Sequence, residues 1–340
     1  MTRAFRPVSA KWLDKNENID LEYFDKIASI FTDIPLECYS CYPDCAVLYE
    51  KLAVHLGVSG HQLFLAAGSD GVIRAAYETF VSPGDAVVFT QPTFAMYSVY
   101  NQIFGAKACP IVYRASEQGP ILDIDFLIKS ITSNKPKLVC LPNADSPTGT
   151  IVEEVDLRQI IATAAEVGAV ILIDEAYYPF YNQTVISWVN EYPNLVVTRT
   201  FSKAWGLAGV RVGYGVGQHE LIKLIHKVRP MYELGALSVV IVTRVLDYYQ
   251  AMLASVIRLN TGKAYFQKAM QDLGFRTYPS YGNFLHIAFA DKAEVVHNSL
   301  KDSVLYRHDF PNTALSGYSR FSATTQENFK PIIDIIASIA

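Results

Sequence analysis

Apolar residues along the chain fall into short, uninterrupted runs. LFLAA (63–67), DAVVF (85–89), LVCL (138–141), AVILID (169–174), LVVTR (195–199) and VRVGYGV (210–216) are rich in Val, Ile and Leu. They lack clean alternation, which is the look of strands covered on both faces. Helical patterns separate them, near 70–80, 94–104, 123–133 and 153–167. Strands alternating with helices predict an α/β fold with a mainly parallel sheet flanked by helices. A long helical stretch at about 236–273 then ends at Gly274. It leads to a smaller α+β part, with strands near 284–290 and 318–323 and helices near 292–301 and 326–339. The division read from this pattern is an N-terminal segment 1–35 packing on the small domain, a large domain 36–245 and a small C-terminal domain 246–340.

Composition narrows the picture. With 340 residues, 51% hydrophobic and 18% charged, the chain has material for a sizeable core. A net charge of -4 gives no electrostatic reason to expect nucleic acid or an anionic membrane as partner. The start, MTRAFRPVSAKWLDKNEN, lacks the apolar stretch of a signal peptide. No apolar run approaches the roughly 18 residues that span a bilayer. Five cysteines, an odd count, fit reduced thiols in the cytoplasm. Cys38, Cys41 and Cys45 cluster, but no fourth ligand follows at a metal-binding spacing, so no metal is expected. His55 and His61 fall in a loop-like stretch.

Ligands of open parallel sheets bind beyond the carboxyl ends of the strands. The chemistry-bearing residues fall at those places. Gly68-Ser69-Asp70-Gly71 follows the first run, and a glycine turn opening a helix exposes backbone N–H groups that cradle a phosphate. An ordinary cap by Ser69 or Asp70 is the plainer alternative. Gln91-Pro92-Thr93-Phe94 follows the second run and PNADSPTG (142–149) the third. Asp174 ends a wholly apolar strand, where a carboxylate is either structural or held for a cationic partner such as a protonated pyridine nitrogen. Tyr177 could reach the same ring. Lys203 lies between a strand end and a Gly-rich turn, where a lysine can lose its proton and attack an aldehyde. Ser202 and Arg211 could hold a phosphate dianion. The spacing from Asp174 to Lys203 fits one strand–helix–strand step, which places them on neighbouring elements.

These residues resemble a known family. The chain is similar to the histidinol-phosphate aminotransferases, within the fold-type I, pyridoxal-phosphate-dependent aminotransferases. The likeness runs from WLDKNEN (12–18) to SRFSATTQENF (319–329), through CYPD (41–44), GSDGVIRAAYETFVSPGDAVVFTQPTFAMYSV (68–99), PTG (147–149), DEAYYPF (174–180) and TFSKAWGLAGVRVGY (200–214). The resemblance implies that Lys203 carries the cofactor as a Schiff base, Asp174 pairs with the pyridine nitrogen and Tyr177 contacts the phenolic oxygen. It implies that Phe94 stacks on the ring, and that Gly68, Ser69, Ser202 and Arg211 bind the phosphate. Tyr42 would reach the partner subunit's site, in a homodimer with shared active sites. Arg320, and Arg307 with it, would bind the substrate's anionic group.

Three departures bear on the substrate. Ser146, preceded by Asp145, stands where the family usually has the Asn that bonds the phenolic oxygen, with Asn143 farther back as the alternative donor. Asn18 begins the segment that helps to shape the substrate pocket, but Ile19, Asp20 and Leu21 follow in place of the family's Pro and aromatic residue. The chain is also a little short for the family. The implied reaction is amino transfer from an amino acid or amino phosphate to a 2-oxo acid. A decarboxylase of the threonine-phosphate type and an inactive cofactor-binding regulator are the competing readings. A dinucleotide-binding dehydrogenase is disfavoured, because GSDG is not GxGxxG.

Overall fold

The computed structural model describes residues 6–339. Among these residues twelve strands form in chain order: β1 (Lys11–Trp12), β2 (Leu63–Ala66), β3 (Ala86–Gln91), β4 (Lys107–Val112), β5 (Leu138–Pro142), β6 (Val170–Asp174), β7 (Leu195–Thr200), β8 (Gly213–Gly217), β9 (Arg276–Tyr278), β10 (Phe284–Ala288), β11 (Val304–Leu305) and β12 (Ser319–Ser322). Seven make one sheet in the order β2-β8-β7-β6-β5-β3-β4. The pairs among β3 to β7 are parallel, while β8 runs antiparallel to both β7 and β2. The direction of β2 therefore matches that of β7. The carboxyl ends of β2, β3, β5, β6 and β7 all point to one edge.

Strands β2, β5 and β7 are buried at every position. Their apolar runs carry no alternation because helices cover both faces. Edge strand β4 escaped the pattern. KACPIV is mostly exposed and holds Pro110, which an edge tolerates because one row of N–H groups needs no partner there. The strand read at 210–216 begins only at Gly213, since Arg211 has φ 57°, a left-handed conformation incompatible with a strand. His55 sits in the last turn of the helix Ala46–Leu56 and not in a loop. The crossover from β6 to β7 holds only the short 3-10 turn Ile186–Asn190.

The second sheet is antiparallel, β12-β10-β9. The helices Tyr249–Asp272 and Gln326–Ala337 pack beside it. Leu13, Phe266, Phe289, Phe321 and Phe329 belong to its own core. The N-terminal segment is shared between the two parts. Leu13 joins the small core and β1 pairs with β11, whereas Tyr23, Ile27 and Ile30 pack into the core of the large sheet. The stretch Ala236–Asp272 is long and apolar enough by composition to cross a bilayer, which corrects the reading that no run is. It is two helices, Ala236–Val245 and Tyr249–Asp272, joined by the turn Leu246–Tyr248. Val239, Val242, Val245, Met252, Val256 and Leu259 face the large core.

Candidate active site

At the edge where five strands end lies a cavity of about 370 Å³. Each of those ends contributes to its wall. Ser69 and Asp70 follow β2, Phe94 follows β3, Ala144 and Ser146 follow β5, Asp174 closes β6 with Tyr177 just beyond, and Ser202 and Lys203 follow β7. Arg211 enters from the turn before β8 and Arg320 from β12 of the small sheet. The residues Asp14, Lys15 and Asn16 complete the wall. Lys203 and Asp174 thus face a common space.

Close backbone approach builds one end of it. Gly68 has φ 81°, and a Cβ there would stand 2.5 Å from Arg211 Nη2. A Cβ on Gly213 would stand 2.3 Å from the Ser69 nitrogen. Only glycines let β8 and the guanidinium lie against this turn. The helix Ser69–Phe80 starts here with no side chain capping it, so the plainer cap reading of Ser69 or Asp70 fails. The Asp70 carboxylate instead accepts from the Tyr100 hydroxyl at 2.9 Å. Arg211 donates to the Ser202 hydroxyl (3.2 Å) and to the Ala67 carbonyl (3.1 Å). Uncapped N–H groups, a hydroxyl and a guanidinium converge as an anion cradle.

At the other end, Asp174 is buried and accepts from the Ala176 N–H at 3.0 Å and the Tyr97 hydroxyl at 3.2 Å. Burial pushes its carboxyl up to about 7. Lys203 Nζ donates to the Lys15 carbonyl at 2.7 Å. Burial, followed by the Arg320 charge, pushes its amine down to about 8. Tyr177 is buried, and its hydroxyl accepts from Asn16 Nδ2 at 2.9 Å. Arg320 donates from Nη1 to the Ser146 hydroxyl (3.3 Å) and from Nη2 to the Asp14 carbonyl (2.9 Å). Among the described residues none of Lys203, Arg211 and Arg320 forms an ion pair with a carboxylate. Three cationic side chains without a carboxylate partner among the described residues make the cavity a receptor for anions.

Five expected residues stand outside the wall, and one of them, Gly68, lies just behind it, against Arg211. Asn143 spends both ends of its amide on Val152, accepting from its N–H at 2.8 Å and donating to its carbonyl at 3.2 Å. Asn18 is buried beneath, donating to the Ala204 carbonyl and the Ser255 hydroxyl, both at 3.0 Å. Arg307 is exposed and donates to the Asp309 carbonyl at 3.2 Å. Tyr42 is likewise remote from this chain's cavity, 77% exposed and stacked on Tyr232 with ring centres 4.0 Å apart. Sequence reasoning missed Asn16 and Tyr97. The first lies in the quoted DKNEN segment and the second in the helix Met96–Ile103, three residues beyond Phe94.

A family model, aminotransferase class I and II, matches residues 41–336. A histidinol-phosphate aminotransferase of Thermoanaerobacter is 35% identical over 290 residues, 84% of this chain and 80% of the relative. The solved histidinol-phosphate aminotransferase from Sinorhizobium meliloti, in complex with pyridoxal-5'-phosphate, superposes with a TM-score of 0.81 at 20% identity, covering 97% of this chain and 92% of that one. The L-threonine-O-3-phosphate decarboxylase from Porphyromonas gingivalis gives 0.80 at 18% identity, covering 96% and 98%. The two structural likenesses establish a fold-type I architecture and nothing finer. The chain belongs to the class I and II aminotransferases.

Proposed function

We propose that this enzyme moves an amino group between an anionic amine of the histidinol-phosphate kind and a 2-oxo acid, with the cofactor held between Lys203 and Asp174. The observation that carries this reading is their shared cavity, with a lysine amine pushed down toward neutrality and a buried carboxylate that has no cationic partner among the described residues. Pyridoxal phosphate fits these residues. Its phosphate suits the cradle of Gly68, Ser69, Asp70, Ser202 and Arg211. Its pyridinium nitrogen supplies the charge that Asp174 lacks, and its ring suits the partly exposed face of Phe94. Tyr177 and Ser146 are the donors for its phenolic oxygen, with Ser146 in the usual place of Asn.

When bound, the cofactor supplies an electron sink for breaking a bond at the substrate's α-carbon. Lys203 holds or releases a proton at Nζ near neutral pH, the range in which a general base works best. Asp174 stays ionised against the pyridinium, helped by Tyr97 and the Ala176 N–H. Arg320 takes the substrate's carboxylate or phosphate. The segment Asp14–Asn16 lies over Lys203, whose amine donates to the Lys15 carbonyl. Tyr42 reaches toward the phosphate end of a second copy, which makes the enzyme a homodimer with shared sites. The five cysteines, none bonded to another, support a reducing compartment, and we place the enzyme in the cytoplasm.

The test is a spectral screen. Cofactor-loaded protein is mixed with histidinol phosphate and with single amino acids, and conversion of the bound cofactor to its aminated form is followed by absorbance. Histidinol phosphate should convert it, a 2-oxo acid should reverse the change, and Lys203→Ala should do neither. Release of carbon dioxide from O-phosphothreonine with no oxo acid present would instead assign a decarboxylase.

A further inference from the structure

A second buried polar group stands beside Arg320 and takes no part in the reaction described so far. His286 on β10 lies directly opposite Arg320 on β12. Opposed residues of an antiparallel pair project from the same face of the sheet. The two side chains meet the same pair of rings. The Arg320 guanidinium carbon is 5.2 Å from the ring centre of Phe284 and 5.7 Å from that of Phe310. The His286 ring centre is 5.5 Å and 6.2 Å from those same centres.

His286 is fully buried, and among the described residues neither of its ring nitrogens has a hydrogen-bond partner. Arg320 Nε is buried and unpartnered as well. Buried polar groups are normally paired. These two are not bonded to each other in this structure, but they stand on facing residues of paired strands, close enough for a rotation of either side chain to join them. Burial, reinforced by the Arg320 charge, holds the imidazole neutral, its pKa pushed down to about 3. A neutral imidazole offers one accepting nitrogen and one N–H.

We propose that His286 is a positioning residue for Arg320: its neutral ring accepts the Nε proton and turns the guanidinium so that its Nη1–Nη2 edge faces a substrate carboxylate. The donor count supports this. Of five N–H groups, one on Nη1 serves Ser146 and one on Nη2 serves the Asp14 carbonyl. With Nε on His286, one proton remains on each Nη, a pair that matches the two oxygens of a carboxylate taken end-on. The imidazole's own N–H lies near the Pro147 carbonyl, on the loop that carries Ser146, without closing a hydrogen bond to it.

The inference rests on Arg320 holding the substrate anion, and the experiment separates the two. Cofactor-loaded enzyme is titrated with L-glutamate, and the absorbance change yields an apparent dissociation constant and a limiting rate. R320A tests the clamp itself. H286F, and H286L should the larger ring prevent folding, should raise the dissociation constant about tenfold with the limiting rate within about threefold. H286Q keeps an acceptor and should return the constant to within about threefold of the parent. In an R320K background, which has no Nε to place, H286L should cause no further loss. Unchanged binding in the apolar variants while R320A binds weakly overturns the His286 assignment alone, as does an equal loss in the R320K background. Full binding by R320A overturns the clamp and this inference together.

Discussion

Tyr97 and Asp174 are joined by a hydroxyl-to-carboxylate hydrogen bond of 3.2 Å in the floor of the cavity. Tyr97 is fully buried, and its ring stands edge-on to Phe94, 6.1 Å between centres. Phe94 and the helix that begins just after it thus supply a wall of the cavity and a donor to its buried carboxylate. A donor to the ionised form lowers a carboxyl pKa, here against the burial that raises it.

Removing that donor should therefore push Asp174 further up and weaken its hold on a cationic ring. A hydrogen bond to a charged group is worth about 1.5–3 kcal/mol, so Tyr97→Phe should weaken cofactor binding at least about tenfold at neutral pH. Titration of the apo-protein with pyridoxal phosphate, followed by absorbance, measures this. An affinity equal to that of the parent would mean that the bond does not bear on the cofactor.

The approach of β8 to the first turn gives a second expectation. A methyl on Gly213 would meet backbone on Gly68 and Ser69, which cannot yield as a side-chain tip can. Gly213→Ala should cost about 1–3 kcal/mol of stability and displace the anion cradle. Gly209, in the turn before β8, has nothing within 4 Å of where a Cβ would stand. Gly209→Ala should leave both stability and phosphate affinity close to the parent. Urea unfolding and cofactor titration of the two variants make the comparison, and equal behaviour would refute the packing argument.

The strand-end convergence was legible in the sequence because buried parallel strands have a plain signature and their ligands gather at one edge. That pattern brings Ser69, Phe94, Ser146, Asp174 and Lys203 to one wall. The details that were not legible depend on backbone turns. In DKNEN two asparagines compete, and Asn16 is the one at the cavity because its φ of 57° turns the chain there, while Asn18 passes beneath. Asn143 looked like a free donor until Val152 took both ends of its amide. Tyr97 and His286 sit inside apolar-looking runs. A buried tyrosine or histidine there reads as core unless its partner, distant in sequence, is known.

Asp145 leads to the last prediction, about stability and pH. Its carboxylate is fully buried and accepts from the Thr90 and Thr93 hydroxyls, each at 2.7 Å, and from the Tyr113 hydroxyl at 3.0 Å. One side chain thereby ties the ends of β3, β4 and β5 together beneath the loop that carries Ser146. No cation among the described residues pairs with it, and burial pushes its carboxyl from the ordinary 3.8 up to about 7. Between those values the folded chain holds a proton that the unfolded chain has lost. The stabilisation is complete below about pH 4 and falls as pH rises, until it is gone above about pH 7. A shift of this size corresponds to roughly 4 kcal/mol at most. Asp145→Asn cannot ionise, so parent minus variant stability should fall across that window, with Asp174 and every other carboxyl cancelling in the difference. Urea unfolding of both apo-proteins from pH 4.5 to 8 supplies the measurement. Two parallel curves would mean that Asp145 titrates as an ordinary carboxylate and that the three hydroxyls fully compensate its charge.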